Sequence, residues 1–181
     1  MNHIQNRLVP LFSVIFFSCI LSSCVANETL SPTEVTSVSP DSIRHVDGNV
    51  FSGGQPTQAE FSKLRDNGIK TVINLRLPSE TDWDEQTLLS DLGINYINLP
   101  IDGAAGISEE NARALMSLID KNDDEPLIVH CGSGNRVGAL IAIAESKINQ
   151  SDIETSIKEG KRWGLTSLET KVRETLSCTS C

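Results

Sequence analysis

Aromatic side chains and positive charge are both scarce in this sequence. Only 4% of the 181 residues are aromatic, and 15 basic side chains stand against 24 acidic ones, which gives a formal net charge of −9. A domain that binds the nucleic-acid backbone carries a basic patch, so this balance excludes nucleic acid as a partner. Proline and glycine, at 7 and 12 residues, are too few for a fibrous or largely disordered chain. We therefore expect one globular domain with a core of its own.

The sequence has no apolar run long enough to span a bilayer as a helix. Its longest run covers residues 8–21, about fourteen positions, whereas a membrane-spanning helix needs about twenty. The run follows a short polar start that carries the positive charge of Arg7. This order is typical of a signal peptide. We therefore expect residues 1–23 to be a signal peptide that is removed on export. The cysteine at position 24 makes it a lipoprotein signal peptide in this prediction.

A cysteine comes directly after the apolar run, in the segment Leu21-Ser22-Ser23-Cys24. Small residues before a cysteine resemble the lipobox of bacterial lipoproteins, in which the cysteine is lipidated and becomes the new N-terminus. The prediction is a protein of the bacterial cell envelope, anchored to the membrane through lipid on Cys24 and facing the periplasm. An ordinary secretory signal, cut near Ala26, is the alternative.

The segments on either side of the expected domain are short. Residues 24–42 are rich in Ser, Thr, Glu and Pro and show no apolar periodicity, which predicts a flexible tether. The folded domain is therefore expected over residues 43–177, followed by a cysteine-containing tail at 178–181. Cys178 and Cys181 either close a small disulfide or stay free thiols, because a zinc site would need two further ligands.

Strand and helix patterns alternate through the expected domain. Short β-branched or apolar runs predict strands at residues 49–52, 69–75, 94–101 and 126–129. Periodic segments with capping residues predict helices at residues 57–67, 85–92, 108–120, from 137 onward, 152–159 and 167–176. This alternation favours an α/β fold with a mostly parallel central sheet and helices on both faces.

One loop between a predicted strand and a predicted helix has a cysteine near its start and an arginine at its end. Its sequence is His130-Cys131-Gly132-Ser133-Gly134-Asn135-Arg136, directly after the apolar run. In an open α/β sheet the functional crevice lies at the carboxyl ends of the strands. Glycines let such a loop curl, so that its backbone N–H groups and the following helix N-terminus form an anion-binding nest.

The surroundings of this cysteine favour thiolate over thiol, which makes Cys131 the candidate nucleophile. Arg136 can hold two oxygens of an oxyanion in a fork, which a lysine cannot do. We therefore predict that Cys131 and Arg136 are catalytic and that His130 supports them. The loop residues predicted to bind substrate are Gly132, Ser133, Gly134, Asn135 and Arg136. The alternative is a glycine-rich turn around a buried structural cysteine.

At these residues the sequence resembles the cysteine-dependent phosphatases of the dual-specificity type. More closely, it is similar to the bacterial beta-lactamase-hydrolase-like or tyrosine-phosphatase-like proteins. The resemblance spans residues 49–144. It rests on Phe51-Ser52-Gly53-Gly54-Gln55-Pro56, Val72-Ile73-Asn74-Leu75-Arg76, His130-Cys131 and Arg136-Val137-Gly138-Ala139-Leu140. It implies a dual-specificity-phosphatase-like fold, no cofactor or metal, and a phosphorylated small molecule or protein as the substrate.

The resemblance also implies how the residues would act. Cys131 would attack phosphorus and form a phosphocysteine, while Arg136 and the loop N–H groups would hold the phosphoryl oxygens. An aspartate on a separate loop would protonate the leaving alcohol. We assign this role to Asp102, which ends a predicted strand and precedes Gly103.

Other carboxylates compete for the role of acid. Asp102 has the alternative reading of a turn or capping residue. The rival acids are Asp82, Asp84 and Glu80. Glu80 is also expected to form a structural pair with Arg76 close to the site.

Two features depart from the phosphatase pattern. Four residues separate Cys131 from Arg136, whereas phosphatases typically have five, and Val137 stands where a hydroxyl residue usually eases departure of the thiolate. The shorter loop has the length used by rhodanese-type sulfurtransferases, which carry sulfur on the cysteine as a persulfide. A sulfurtransferase acting through Cys131, or a weakly active phosphate-binding module, is therefore the alternative to a phosphatase.

Overall fold

The computed structural model of the chain describes residues 31–178. Within this range no helix is long and apolar enough to cross a membrane. The predicted signal peptide over residues 1–23, the lipidated Cys24, the first part of the tether and Cys181 lie outside the described residues. Cys178 is disulfide-bonded, which excludes the free-thiol alternative for this residue.

Across residues 31–178, five short strands form one sheet in the order β1-β2-β5-β3-β4. The strands are β1 (Arg44–Asp47), β2 (Val50–Gly53), β3 (Thr71–Asn74), β4 (Asn95–Asn98) and β5 (Leu127–His130). β2, β5, β3 and β4 run parallel, and the edge strand β1 is antiparallel to β2. The predicted α/β fold with a mostly parallel sheet is confirmed, and its four predicted strands are present.

Helices cover both faces of this sheet. In the described part of the chain they are α1 (Pro32–Ser37), α2 (Gln58–Asp66), α3 (Glu85–Asp91), α4 (Glu109–Asp120), α5 (Asn135–Lys147), α6 (Ile153–Trp163) and α7 (Glu169–Ser177). Several begin where the sequence supplies a cap, as at Thr57, whose side chain accepts from the Glu60 N–H while the Glu60 carboxylate accepts from the Thr57 N–H. Such reciprocal bonds satisfy N–H groups that the helix itself leaves without partners.

The two faces of the sheet bury separate apolar clusters. On one face Val129 packs with residues of α4, α5 and α6, including Leu140. On the other face Ile128 packs with residues of α1, α2 and α3, including Phe61. Successive strand residues point to opposite faces, and both faces are covered by helices. All four positions of β5 are therefore buried. This burial fixes the end of β5, after which Cys131 follows directly.

Strand register aligns the carboxyl ends of the parallel strands. Gly53 of β2 and Asn74 of β3 both pair with His130 of β5, and Asn74 also pairs with Asn98 of β4. The segments that follow these four strands therefore start side by side at one edge of the sheet. The cysteine loop lies in the middle of that edge.

The fold begins earlier than the sequence predicts. Pro32–Ser37 form α1, with a proline in the first turn, where the missing N–H has no partner to lose. Val35 of this helix is 0% exposed and packs in the cluster of α2 and α3. The tether predicted over residues 24–42 therefore does not extend to residue 42. A helix this short with one fully buried side chain leaves no periodicity in the sequence.

Two further elements have no counterpart in the sequence prediction. β1 buries one of its four side chains, that of Val46. Pro78–Glu80 form a 3-10 turn between β3 and α3 and bury none. β1 pairs with the next strand, β2, but each of the two elements buries at most one side chain, so their residues show no apolar pattern.

Candidate active site

Cys131 lies at the base of the loop between β5 and α5 and is 1% exposed. Its Sγ accepts a hydrogen bond from the backbone N–H of Gly134 at 3.1 Å. Gly134 has a φ of +83°, a conformation that favours glycine and lets the backbone turn from the loop into α5. The loop therefore presents a backbone donor to Cys131 just before the N-terminus of α5, as the sequence predicts for an anion-binding nest.

The segment after β2 holds this loop from one side. The Gln55 N–H donates to the Gly132 carbonyl at 3.3 Å, and Gly54 and Ser133 form an isolated bridge. A side chain on Gly54 would not fit, because its Cβ would lie 2.8 Å from Ser42 Oγ and 3.2 Å from the Gly132 carbonyl oxygen. The close approach of the two backbones explains why glycine precedes Gln55.

Arg136 lies in the first turn of α5, and Glu80 binds its guanidinium at two points. Nη1 donates to Glu80 Oε1 at 2.7 Å, and Nη2 donates to Glu80 Oε2 at 2.6 Å. Nη1 also donates to the carbonyl of Ile101 at 2.8 Å. Glu80 thus takes up the Nη1–Nη2 edge, and an oxyanion in the loop would use the other edge, formed by Nε and Nη2.

Glu80 is held by a second arginine as well. Arg76 Nε lies 3.5 Å from Glu80 Oε2, so the predicted Arg76–Glu80 pair is confirmed. Hydrogen bonding from Arg136, followed by the Leu77 N–H and the charges of both arginines, lowers the pKa of Glu80 to about 2 against the effect of burial. A lowered pKa makes a carboxyl group harder to protonate, and both oxygens of Glu80 already accept from Arg136, so Glu80 is a poor rival for the general acid.

We expect the variant Glu80→Gln to be less stable than the unaltered chain by about 2 kcal/mol at neutral pH, because a charged hydrogen-bond partner of Arg136 is lost. Glu80 has a lowered pKa in the folded state, so its contribution is present above the ordinary value of 4.5 and falls as the pH drops towards 2. Urea unfolding of both chains between pH 7 and pH 2.5 measures this difference, which is expected to shrink on acidification.

Glu109→Gln is the matched control for that experiment. Glu109 pairs with Arg113 four residues away, but both side chains are about half exposed, at 46% and 52%. An exposed pair of this kind contributes about 0.5 kcal/mol or less. A loss in Glu80→Gln no larger than in the control, or a loss that does not depend on pH, would contradict the ionised clamp on Arg136.

Asp102 follows β4 at the same edge of the sheet and is exposed. It lines the pocket above the loop, which has a volume of about 430 Å³. The residues that line this pocket are Leu77, Glu80, Asp102, Gly103, Ala104, Cys131, Gly132, Ser133, Asn135, Arg136 and Leu168. The structure thus brings Asp102, Cys131 and Arg136 together, as the sequence predicts. A larger cavity of about 650 Å³ opens beside α4, α5 and α6, away from these three side chains.

The other candidate aspartates do not line this pocket. The side chain of Asp84 accepts from the Thr87 N–H at 3.0 Å and caps α3. Asp82 and Asp84 are both absent from the pocket lining. Among the described residues, Asp102 is therefore the only aspartate in the lining of this pocket.

Asn135 lies in the predicted binding loop, but its side chain is used elsewhere. Its Oδ1 accepts from the N–H groups of Thr166 and Leu168, and its Nδ2 donates to Ser167 Oγ at 2.7 Å. The amide thus fixes the connection between α6 and α7, which places Leu168 at the pocket. The predicted binding role of Asn135 is left to its backbone.

His130 is fully buried and makes a contact that the sequence prediction does not contain. Its Nε2 lies 2.8 Å from Oε1 of Glu85, whose side chain is 3% exposed. Glu85 stands near the start of a predicted helix, where an acidic residue is ordinarily explained by the helix dipole. The signal that the sequence offers here is the pair of glycines before Gln55, which indicates a close approach of two backbones. It does not point to Glu85, so no local pattern marks Glu85 as a neighbour of the Cys131 loop.

The comparisons with known proteins agree with this geometry. A family model described as "DSP-PTPase phosphatase fused to NAD+ Kinase" matches residues 25–177. The chain is 30% identical over 109 residues to the beta-lactamase hydrolase-like protein of Agrobacterium fabrum, in a match that covers 56% of this chain and 25% of that protein. The chain therefore spans about a quarter of the length of this curated relative.

Solved structures show the same fold at low identity. The core catalytic domain of the PP-IP phosphatase SIW14 from S. cerevisiae matches with a TM-score of 0.57 and 21% identity, covering 75% of this chain and 85% of that one. P. aeruginosa TpbA in complex with pTyr matches with a TM-score of 0.56 and 15% identity, covering 77% and 90%. Because the family model matches most of the chain, this protein belongs to the family of dual-specificity and tyrosine phosphatases that the model describes.

Proposed function

We propose that this protein is a cysteine-dependent phosphatase that hydrolyses phosphomonoesters through a phosphocysteine on Cys131. The observation that carries the proposal is the loop itself. Cys131 Sγ accepts the Gly134 N–H at 3.1 Å, and Arg136 and Asp102 line the same open pocket. A sulfur nucleophile, a forked cation for the phosphoryl oxygens and a carboxyl group for the leaving oxygen are the three parts that such a reaction needs.

In the first step the thiolate of Cys131 attacks phosphorus and the bond to the leaving oxygen breaks. Arg136 and the loop N–H groups hold the non-bridging oxygens, whose charge they stabilise in the transition state. The carboxyl group of Asp102 gives its proton to the leaving oxygen, so the product is a neutral alcohol or phenol. The enzyme is then a phosphocysteine with an ionised Asp102.

In the second step water attacks the phosphocysteine. Asp102 takes a proton from this water, the bond between sulfur and phosphorus breaks, and inorganic phosphate and the thiolate are released. Val137, which follows Arg136, is fully buried and apolar, so this position offers no hydroxyl to stabilise the departing thiolate. We expect this second step to be the slower one.

Two assays on one preparation of the full chain test the proposed function. Release of phosphate from an aryl phosphate in the presence of a chelator supports it, and Asp102→Asn should slow the reaction most for poor leaving groups. Formation of thiocyanate from thiosulfate and cyanide, without phosphate release, would instead show a sulfurtransferase. Binding of inorganic phosphate with neither reaction would show a phosphate-binding module.

The charge of the pocket favours substrates with a single phosphate on a neutral group. Among the described residues that line it, Arg136 is the one positively charged side chain, and Glu80 and Asp102 carry carboxylates. Leu77 and Leu168 add apolar surface. Additional phosphates would therefore meet carboxylates rather than further cations. Among the similar structures, TpbA is in complex with pTyr, a ligand of the kind that this pocket suits.

An aryl monophosphate is therefore expected to have a higher kcat/KM than a nucleoside triphosphate. Leu168→Lys should raise kcat/KM for the triphosphate by about three- to tenfold, because an added cation attracts the extra phosphates, and should change that for the monophosphate much less. Thr170→Lys, an exposed position outside the pocket lining, is the control for added charge. Preference of the unaltered enzyme for the triphosphate would contradict this substrate class.

We propose in addition that the protein is exported and anchored by lipid on Cys24 in a bacterial cell envelope. The order of the first residues supports this, since a positive start, an apolar run and Ser22-Ser23 precede the cysteine. In cells that express the full chain, the protein should fractionate with membranes, and Cys24→Ala should release it or block its processing. Equal amounts of both chains in the same fraction would contradict the anchor.

A further inference from the structure

A buried carboxylate contacts the residue that precedes the nucleophile. Glu85 of α3 and His130 at the end of β5 are 3% and 0% exposed at their side chains, and Glu85 Oε1 lies 2.8 Å from His130 Nε2. A carboxylate only accepts, so His130 carries its proton on Nε2. Burial of a carboxylate is costly unless each oxygen has a partner, so the other oxygen of Glu85 also needs a hydrogen-bond donor.

That second oxygen begins a chain of polar contacts that ends at Arg136. Gln55 Nε2 donates to Glu85 Oε2 at 2.7 Å, and Arg76 Nη1 donates to Gln55 Oε1 at 2.5 Å. Arg76 Nη2 donates to the carbonyl of Glu80, and the Glu80 carboxylate binds both terminal nitrogens of Arg136. The chain thus connects the residue before Cys131 with the arginine at the other end of the loop.

We propose that Glu85 is a positioning residue of the active site, which couples His130 to Arg136 through Gln55, Arg76 and Glu80 and so keeps the loop curled around an oxyanion. This role rests on the proposed function. Glu85 itself does not line the pocket, so it touches neither the phosphoryl group nor the sulfur. Its effect reaches the reaction through the geometry of the loop, where small displacements of reacting groups have large effects on rate.

The donors and acceptors in this series of polar contacts fit together in only one arrangement. Arg76 is purely a donor and the Glu85 carboxylate is purely an acceptor, so the amide of Gln55 must point its oxygen at Arg76 and its nitrogen at Glu85. An amide in place of Glu85 would bring two NH₂ groups together. If Gln55 turned over to relieve that contact, its NH₂ group would face Arg76 instead, and if the new amide turned over, His130 would have to move its proton from Nε2 to Nδ1, which lies 3.4 Å from the Cys131 carbonyl oxygen. The substitution therefore either leaves a mismatch or alters the contact of His130 at the start of the loop.

The test compares Glu85→Gln with the unaltered full chain in the affinity for inorganic phosphate and in kcat/KM for an aryl phosphate. Both are expected to fall by about tenfold, because Arg136 and the loop N–H groups lose their fixed spacing. The double variant Glu85→Gln/Gln55→Glu exchanges the carboxylate and the amide between the two positions. In it the carboxylate at position 55 accepts from Arg76 and from the amide at position 85, whose oxygen accepts from His130. Each of these side chains then has a partner again, while the Pro56 carbonyl loses the donor that Gln55 Nε2 gives it at 3.2 Å, so the loss should be recovered in part.

Ser156→Ala is the control for a loss of buried polar contact. Ser156 is buried in α6, its hydroxyl donates to the Asp152 carbonyl at 2.8 Å, and it belongs to no part of this chain of contacts. It should lower the thermal unfolding temperature without changing phosphate affinity. If Glu85→Gln does not fold, Gln55→Ala, at a half-buried position, replaces it and should weaken phosphate binding in the same way.

The outcomes separate this proposal from the proposed function. Unchanged phosphate affinity in folded Glu85→Gln, or no recovery in the double variant, would overturn the positioning role. If the unaltered chain binds phosphate but hydrolyses no ester, the proposed function fails, while the affinities still decide the role of Glu85. An unaltered chain that binds no phosphate would contradict both.

Discussion

Cys131→Ser is expected to lower the rate of phosphate release about a thousandfold or more, while the folded chain still binds inorganic phosphate. A serine hydroxyl fits the position of the thiol at the end of β5, so the fold should persist. It does not ionise near neutral pH, and the Gly134 N–H that lies 3.1 Å from the sulfur cannot change that. Arg136 and the loop N–H groups are unaltered, so the nest remains available to an anion.

The measurement is a steady-state assay with an aryl phosphate, together with the phosphate affinity of both chains. Ser90→Ala, at an exposed position of α3, serves as the control and should retain full activity. If Cys131→Ser keeps a rate within tenfold of the unaltered enzyme, the nucleophile is another group and the proposed mechanism is wrong.

Gly138→Ala is expected to destabilise the protein by about 3 kcal/mol or more, the largest effect on stability that we anticipate for a change of one methyl group. A Cβ at Gly138 would lie 2.1 Å from the Leu165 nitrogen and 2.4 Å from the Gly160 carbonyl oxygen. Both are backbone atoms, which cannot rotate away. Alanine in a helix interior gains about 1 kcal/mol over glycine, which is too little to offset this overlap between α5 and α6.

The same methyl group placed on Gly132 gives the control. There the nearest atom is Arg136 Nη2, at 3.8 Å, an ordinary contact, so Gly132→Ala should unfold at nearly the same urea concentration as the unaltered chain. The stabilities of the three chains are compared by urea unfolding. Equal stability of Gly138→Ala and the unaltered chain would mean that α5 and α6 pack less closely than the structure shows.

The parts of the fold that the sequence predicts are those with a local pattern. The β-branched run before Asn74 and the apolar run before His130 are buried on both faces, and a continuous apolar stretch is the mark of such a strand. The turn at Gly134 is likewise local, since glycines between a strand and a helix permit its positive φ. For that reason the position of Cys131 at the sheet edge follows from the sequence.

The parts that the sequence does not predict depend on distant partners. Val35 and Val38 stand in an otherwise polar segment, and the α2 and α3 cluster against which they pack forms only in the fold. Glu80 is 56 residues from Arg136, and Glu85 is 45 residues from His130. Charge pairs of this separation leave no spacing pattern. The sequence therefore does not predict the contact of Glu80 with Arg136 or the buried contact of Glu85 with His130. The catalytic roles of Cys131, Arg136 and Asp102 stay predictions until they are measured.

Trapping the covalent intermediate tests the central claim most directly. The enzyme is mixed with an excess of aryl phosphate, quenched within the first turnovers, digested and analysed by mass spectrometry. Because Val137 offers no hydroxyl to the departing thiolate, we expect the phosphocysteine to accumulate, with the phosphoryl group on the peptide that contains Cys131. Turnover with no phosphoryl group on this peptide, or with the group on another residue, would contradict a mechanism that passes through Cys131.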